Sequence, residues 1–295
     1  MPIVSGPKAE WRTEPPCLGD EALREMLAED VPYGDLTTRS LGIGNEAGCM
    51  SMRARRAMRV CGTEEAARLV ELAGGRVLGG VASGTEVTEG EELLCAEGNV
   101  AALQIAWKTA QTLIEYLSGI ATSAASIISS LRAAGFDLPL ACTRKNFPGT
   151  RHLSAKAVAA GGAVAHRLGL SETLLVFPDH RVFVDKATLP TIFSDIHRRV
   201  PEKKLVAEAG SLEEAIMLAQ AGADVLQLER FPPQALAACK AALAERGLAP
   251  LLAPAGGVTL ENALAYARAG ADFLVSSAPY FAAPCDVAVR FSRPA

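Results

Sequence analysis

The sequence predicts an α/β protein in two parts, a small glycine-punctuated α/β unit followed by an open, incomplete α/β barrel. Three observations carry this prediction. Between Cys49 and Glu97 the chain reads as short runs broken by glycine, whereas from Leu138 onward strand and helix patterns alternate with little exception. The later strands are continuous apolar runs, the mark of a parallel sheet covered on both faces. A chain of 295 residues, 49% of them apolar, can fill such a core.

Residues 1–19, rich in Pro and Gly, read as a tail. In "LGDEALREMLAED" the spacing of Leu23, Met26 and Leu27 is helical, and the helix ends before Pro32. "GDLTTRSL" is a polar turn. "CMSMRARRAMRVCG", "GGRVLGG" and "GTEVTEGEELLCAEG" fit a small mixed sheet, with one helix, "TEEAARLVELAGG", starting at Thr63 as its N-cap. A long helical stretch from Asn99 to Gly135 follows, broken into two around Ser118 and Gly119. Six strands come next: "LPLAC", "TLLVF", "KLVAEA", "DVLQLE", "PLLAPAG" and "DFLVSSA". Among the helices between them, Ser211 with Glu214 forms a capping box, Pro232 and Pro233 open a first turn, and Thr259 is an N-cap. Six strands fit an open doubly wound sheet or a barrel short of its full eight. The domains expected are 20–117 and 118–278, with residues 279–295 packing back on the first.

Composition bounds the function. A net charge of -4 excludes a general nucleic-acid or membrane-surface binder, since both need a broad basic field. The seven scattered cysteines show no zinc spacing and read as reduced thiols. The N-terminus lacks a signal peptide's apolar run, and no stretch reaches the roughly 18 apolar residues of a membrane span, so a cytoplasmic protein is expected. "GIGNEAG" has the wrong spacing for a dinucleotide fingerprint, and there is no Walker sequence.

Chemistry collects at the strand ends, where barrels and open α/β sheets place their sites. In order they deliver Thr143, Arg144 and Lys145 in "TRKNFPG"; His180 in "FPDHR"; Glu208; Glu229; Gly256 and Gly257 in "AGG"; and Ser276 and Ser277 in "SSA". Arg144 and Lys145, with Arg151 and His152 in the same loop and His166 and Arg167 after a Gly-Gly pair, suit a small polyanion such as pyrophosphate or a di-acid. Glu208 and Glu229 can take ribose hydroxyls or one Mg²⁺ that arrives with substrate phosphates. Gly256 and Gly257, just ahead of a helix start and beside the serines, suit a phosphate. His197 reads as a helix-surface residue.

These residues resemble a known family. "LAEDVPYGDLTT", "LSGIAT", "TRKNFPGTR", "GGAVAHRLGL", "AEAGSLEEA", "LQLERF" and "AGGVTLENA" follow the order of motifs in quinolinate phosphoribosyltransferases, from about Leu18 to Val287. "HRLGLSETLLVFPDH" is most similar to the branch called ModD, found with molybdenum-transport genes. The resemblance implies an N-terminal α/β sandwich and a C-terminal open, TIM-like α/β barrel. It also implies a homodimer, or an oligomer of dimers, in which one N-terminal domain covers the partner's barrel mouth. The implied reaction moves phosphoribosyl from phosphoribosyl pyrophosphate to a small heterocyclic acceptor, with Mg²⁺ and no tightly bound organic cofactor. By this resemblance Arg144, Lys145, His166 and Arg167 line the acid and pyrophosphate pocket, Glu208 and Glu229 hold the ribose and its metal, and Gly256, Gly257 and Ser277 take the 5′-phosphate.

The sequence also departs from the family pattern. Phe177 stands where the family has a lysine that contacts a quinolinate carboxylate, Lys108 where it has a cross-dimer arginine, Trp107 where it has a glutamate, and Glu229 where it has an aspartate. The donor site is thus retained and the acceptor site changed. Three functions follow: transfer to an acceptor other than quinolinate, transfer to quinolinate by a rebuilt pocket, or non-catalytic binding of a nucleotide or of an oxyanion such as molybdate. Two carboxylates beside an anion cradle weigh against the third. Decarboxylation, the family's second step, depends on the quinolinate pocket and is not carried over.

Overall fold

The computed structural model describes Trp11 and residues 15–294, so most of the expected tail lies outside the described residues. Along the chain run α1 (Asp20–Asp30), α2 (Leu36–Leu41), β1 (Ala47–Ala54), β2 (Met58–Arg59), α3 (Thr63–Leu72), β3 (Arg76–Gly80), β4 (Glu86–Val87), β5 (Glu92–Asn99) and α4 (Val100–Ala133). Then come β6 (Leu140–Cys142), α5 (Arg151–Ala160), β7 (Val164–Ala165), β8 (Leu174–Val176), α6 (Pro178–Arg181), α7 (Leu189–Arg199), β9 (Leu205–Ala209) and α8 (Leu212–Gln220). The chain finishes with β10 (Val225–Glu229), α9 (Pro233–Ala244), β11 (Leu251–Ala255), α10 (Ala263–Arg268), β12 (Leu274–Ser276) and β13 (Val287–Ser292).

Two compact units result. The first holds the described residues up to Ala125, Phe147–Gly162 and those from Phe281 onward; the second holds Ser126–Asn146 and Ala163–Tyr280. The first differs from the expected 20–117 chiefly by claiming α5. Leu153 and Ala157 of that helix pack with Cys61, Leu117 and Ala121, and Lys156 reaches the buried Glu64 and Glu65 at 2.8 to 2.9 Å.

The first unit is built on a four-stranded sheet of order β13-β1-β5-β3. Its ladders are all antiparallel, not mixed as expected. The connection through α3 joins β2 to β3, which are not neighbours, so no parallel crossover pair arises. β1 alternates as a half-buried strand should, with Met50, Met52 and Ala54 inside against Leu23 and Leu27 of α1 and Leu69 and Val70 of α3. Thr63 is the first residue of α3 and not its cap; Gly62 takes that place at φ +93°, and the Thr63 hydroxyl donates to the Val81 carbonyl at 2.6 Å.

The expected break at Ser118 and Gly119 does not occur. α4 is one helix of 34 residues, about 50 Å long at 1.5 Å per residue. Its small residues mark close contact instead. Ser118 accepts the Cys61 N–H at 3.0 Å, and a Cβ on Gly119 would lie 2.6 Å from the Ala283 carbonyl oxygen.

In the second unit every ladder is parallel. β8, β9, β10 and β11 form one arc and β7, β6 and β12 another, so the six expected strands are joined by the two-residue β7. The arcs meet where the Asp272 N–H donates to the Leu252 carbonyl at 2.9 Å. Among the described residues β7 and β8 share no ladder, which leaves a barrel open along one seam. Its interior is lined by Ala141, Leu175, Val206, Val225, Ala253, Ala255 and Val275. Ser211 caps α8 by accepting the Glu214 N–H at 3.2 Å, and the Glu214 carboxylate turns to the Gly210 N–H at 2.9 Å. Thr259 does not cap α10: its N–H donates to Asn262 Oδ1 at 2.8 Å, and the helix begins only at Ala263.

Candidate active site

Parallel strands bring all their C-terminal ends to one rim, so residues far apart in sequence converge there. At the end of β6 the Thr143 N–H donates to the Ser276 carbonyl at 3.0 Å, and the Thr143 and Ser277 hydroxyls lie 2.7 Å apart. Arg144 and Lys145 follow, both exposed. The two strand ends thereby form a joined hydroxyl pair beside two exposed cations. Ser276 is different. It is buried, donates to the Val258 carbonyl at 2.6 Å and accepts the Ala278 N–H at 3.0 Å, which ties the loop together.

At the end of β7 the His166 N–H donates to the Cys142 carbonyl at 2.8 Å. Burial, then the adjacent Arg167 charge, holds the His166 imidazole below its ordinary range. It offers a hydrogen bond at neutral pH and not the positive charge the sequence suggested. Arg167 is only 7% exposed, and burial together with Arg144 lowers its proton affinity without discharging it. Its guanidinium lies over the Phe177 ring, 5.6 Å from the centroid. Phe177 in turn stacks with His180 at 5.8 Å and 23°, and the Phe177 N–H donates to His180 Nδ1 at 2.9 Å. His180 is therefore fixed by its own helix start. The result is a layered Arg167, Phe177, His180 wall in which one cation is already faced by a ring.

The carboxylates come from β9 and β10. Gln227 donates to Glu208 at 2.6 Å, and Arg181, passed over in the sequence, donates to the Glu208 carbonyl at 2.6 Å and pairs with Glu214 at 3.2 Å. Burial pushes the Glu208 carboxyl above its usual range; Gln227 opposes this and the Glu229 charge adds to it. Glu229 sits directly over Gly256, where any Cβ would overlap its carboxylate, and Arg230 pairs with it at 3.6 Å from a left-handed backbone, φ +56°. Gly256 and Gly257 both have positive φ, +75° and +124°. They allow a ligand close to the backbone, but with α10 starting at Ala263 they do not sit on a helix terminus.

Other expected groups lie elsewhere. Arg151 and His152 occupy the first turn of α5, not the loop, and Lys108 lies on α4, its ammonium 3.0 Å from Gln111 and 5.3 Å from the Trp107 ring centroid. His197 of α7 bonds Asp224 at 2.9 Å and ties its helix to β10. Gln227 was the missed partner, and its signal was a polar residue inside the apolar run "VLQLE". Among the described residues no three His, Cys, Asp or Glu side chains gather as a metal cage.

Residues 35–118 match the family described as quinolinate phosphoribosyl transferase, N-terminal domain, and residues 120–290 its C-terminal domain. The chain is 48% identical over 258 residues to the pyrophosphorylase ModD of Rhodobacter capsulatus, across 87% of this chain and 98% of that one. It is 30% identical over 263 residues to the carboxylating nicotinate-nucleotide pyrophosphorylase of Mycobacterium leprae, across 88% and 91%. Its backbone superposes on the nicotinate-nucleotide pyrophosphorylase structure from Francisella tularensis with a TM-score of 0.83, 23% identity, and coverage of 92% and 95%.

Proposed function

The chain belongs to the quinolinate phosphoribosyl transferase family, whose members are pentosyltransferases, and from that premise we propose that it is a phosphoribosyltransferase of the ModD type. It moves phosphoribosyl from phosphoribosyl pyrophosphate to a ring nitrogen of a heterocycle other than quinolinate and releases pyrophosphate. The observation that carries this reading is the wall at the end of β8. A dicarboxylate acceptor needs a second cation there, and the position holds the Phe177 ring, with Arg167 already stacked on it.

In this reading Arg144, Lys145 and Arg167 hold the anionic groups, and His166 adds a neutral donor. Gly256, Gly257 and the Thr143–Ser277 hydroxyl pair receive the 5′-phosphate. Glu208, oriented by Gln227, and Glu229 face the ribose. The C1′–O bond to pyrophosphate breaks with its electron pair leaving on oxygen, and the ring nitrogen's lone pair forms the new bond to C1′. The cations stabilise the leaving group and the carboxylates stabilise positive charge developing on the ribose, so no covalent nucleophile is required. Two carboxylates on neighbouring strand ends, with no third His, Cys, Asp or Glu gathered beside them among the described residues, suit a hard cation that arrives with substrate phosphates. Bound there with the donor, Mg²⁺ would offset charge on the pyrophosphate.

Retention of Arg144, Lys145, His166 and Arg167 keeps a second reading in play, a quinolinate enzyme with a rebuilt pocket. The deciding experiment is pyrophosphate release from phosphoribosyl pyrophosphate and Mg²⁺ across pyridine, purine and pyrimidine acceptors. Turnover with an acceptor other than quinolinate supports the proposal. Turnover with quinolinate alone returns the chain to the second reading, and tight donor or oxyanion binding with no release points to a binding protein.

A further inference from the structure

The opposite end of the same barrel carries a cavity that shares only His166 with the proposed reaction site. It has a volume of about 450 Å³ and is bounded by residues at the N-terminal ends of the strands, among them Pro139, Val225, Leu251 and Phe273. Barrel interiors are ordinarily filled by layers of bulky branched side chains. Here Ala141 and Ala253 stand in those layers, and the seam between β7 and β8 is unpaired, so the filling is incomplete. The cavity opens to solvent at one end, and its wall is mostly apolar.

Its polar groups are few and pointed in their chemistry. Thr173, at the start of β8, lines the cavity with a buried hydroxyl that has no hydrogen-bond partner among the described residues. Leaving such a group unpaired is unfavourable. His166 forms the inner end, and Lys203 and Lys204 stand at the outer end with exposed ammonium groups that make no salt bridge among the described residues. Asp272 is the one acid of the lining, and its carboxylate accepts the Leu252 N–H at 2.7 Å. Both lysines stand at the mouth with this one acid in the lining, and Lys204 also acts on the nearby Asp224 carboxylate.

We propose that this cavity is a second ligand site, for a small aromatic monocarboxylate whose ring fills the apolar space and whose carboxylate meets Lys203 and Lys204. An apolar body of ring size suits pockets of a few hundred Å³, and one carboxylate can span the two ammonium groups at the mouth. Thr173 supplies the hydrogen bond for a ring heteroatom or substituent.

The test uses 4-bromobenzoate on the full chain. Calorimetry should show one site per chain, unchanged by saturating phosphoribosyl pyrophosphate, and weakened at least about tenfold in a Lys203→Ala/Lys204→Ala double variant. That variant changes only exposed side chains, and an unchanged melting temperature confirms its fold. In soaked crystals the bromine anomalous peak should lie between Val225 and Thr173. A peak at the rim of Arg167 and Glu208, displacement by the donor, equal affinity in the double variant, or no binding up to about 10 mM would each overturn the proposal.

Discussion

Phe177 and Glu208 decide different halves of the proposed chemistry. Replacing Phe177 by Lys removes the ring that faces Arg167 and supplies a second cation at the end of β8. A buried charge-assisted contact is worth about 1.5–3 kcal/mol, so kcat/KM for a dianionic acceptor should rise about 10- to 100-fold while that for the natural acceptor falls. Steady-state kinetics with quinolinate and the preferred acceptor check this, and an unchanged ratio would remove Phe177 as the selector. Glu208 must be ionised to serve the ribose, yet burial holds its proton above the usual glutamate range. Donor kcat/KM should therefore decline on acidification already above that range. Gln227 bonds the charged form, so Gln227→Leu raises the carboxyl further and moves the acid limb to higher pH. A pH profile of both proteins reads the sign directly.

At the level of elements, the placement of α5 rests on a buried charge cluster. Lys156 is 9% exposed in its side chain and holds Glu64 and Glu65, which are 2% and 0% exposed. Burial works against the ammonium, but its bonds to Glu65 and Glu64 outweigh that and raise its proton affinity. Lys156→Met leaves two carboxylates buried without a cation and should cost about 3–5 kcal/mol. Acid relieves part of this. The Lys156 ammonium is one of the groups that hold the Glu64 carboxyl below its usual range against burial, so its loss raises Glu64's folded-state proton affinity and removes stability that was present at higher pH. Denaturation at pH 5 and pH 8 should show the larger deficit at pH 8. This cluster was invisible in the sequence because its members lie 91 and 92 residues apart. By contrast the other six strands of the barrel were legible, since each lies in an apolar run of the sequence. β7 was not, because Val164 and Ala165 are too short a run to stand out beside Gly161 and Gly162. α4 misled for a physical reason: Ser118 and Gly119 lower helix propensity locally, but their small size lets Cys61 and Ala283 approach, and packing outweighs propensity.

At the scale of the whole molecule, the rim residues were legible in the sequence as strand ends, whereas their company was not. Arg181, Gln227 and the Arg167–Phe177 stack depend on how neighbouring strands align, which no local pattern records. Lys108 poses the remaining question, because the family resemblance expects a cation at its position to reach a partner's site. In the homodimer that the family resemblance implies, each active site would combine Glu208 of one subunit with Lys108 of the other. Lys108→Ala and Glu208→Gln should then each lower donor kcat/KM about 100-fold or more when tested alone, the size expected for losing a charged group at the reacting centre. Mixed and allowed to exchange subunits, the two variants form heterodimers in about half of all dimers by random pairing. Each heterodimer has one site with both substitutions and one with neither, so activity should return to about a quarter of the unsubstituted enzyme. Pyrophosphate release before and after mixing measures it. If the mixture stays as slow as its components while sedimentation shows exchanged dimers, Lys108 serves its own subunit and the cross-subunit assignment is wrong.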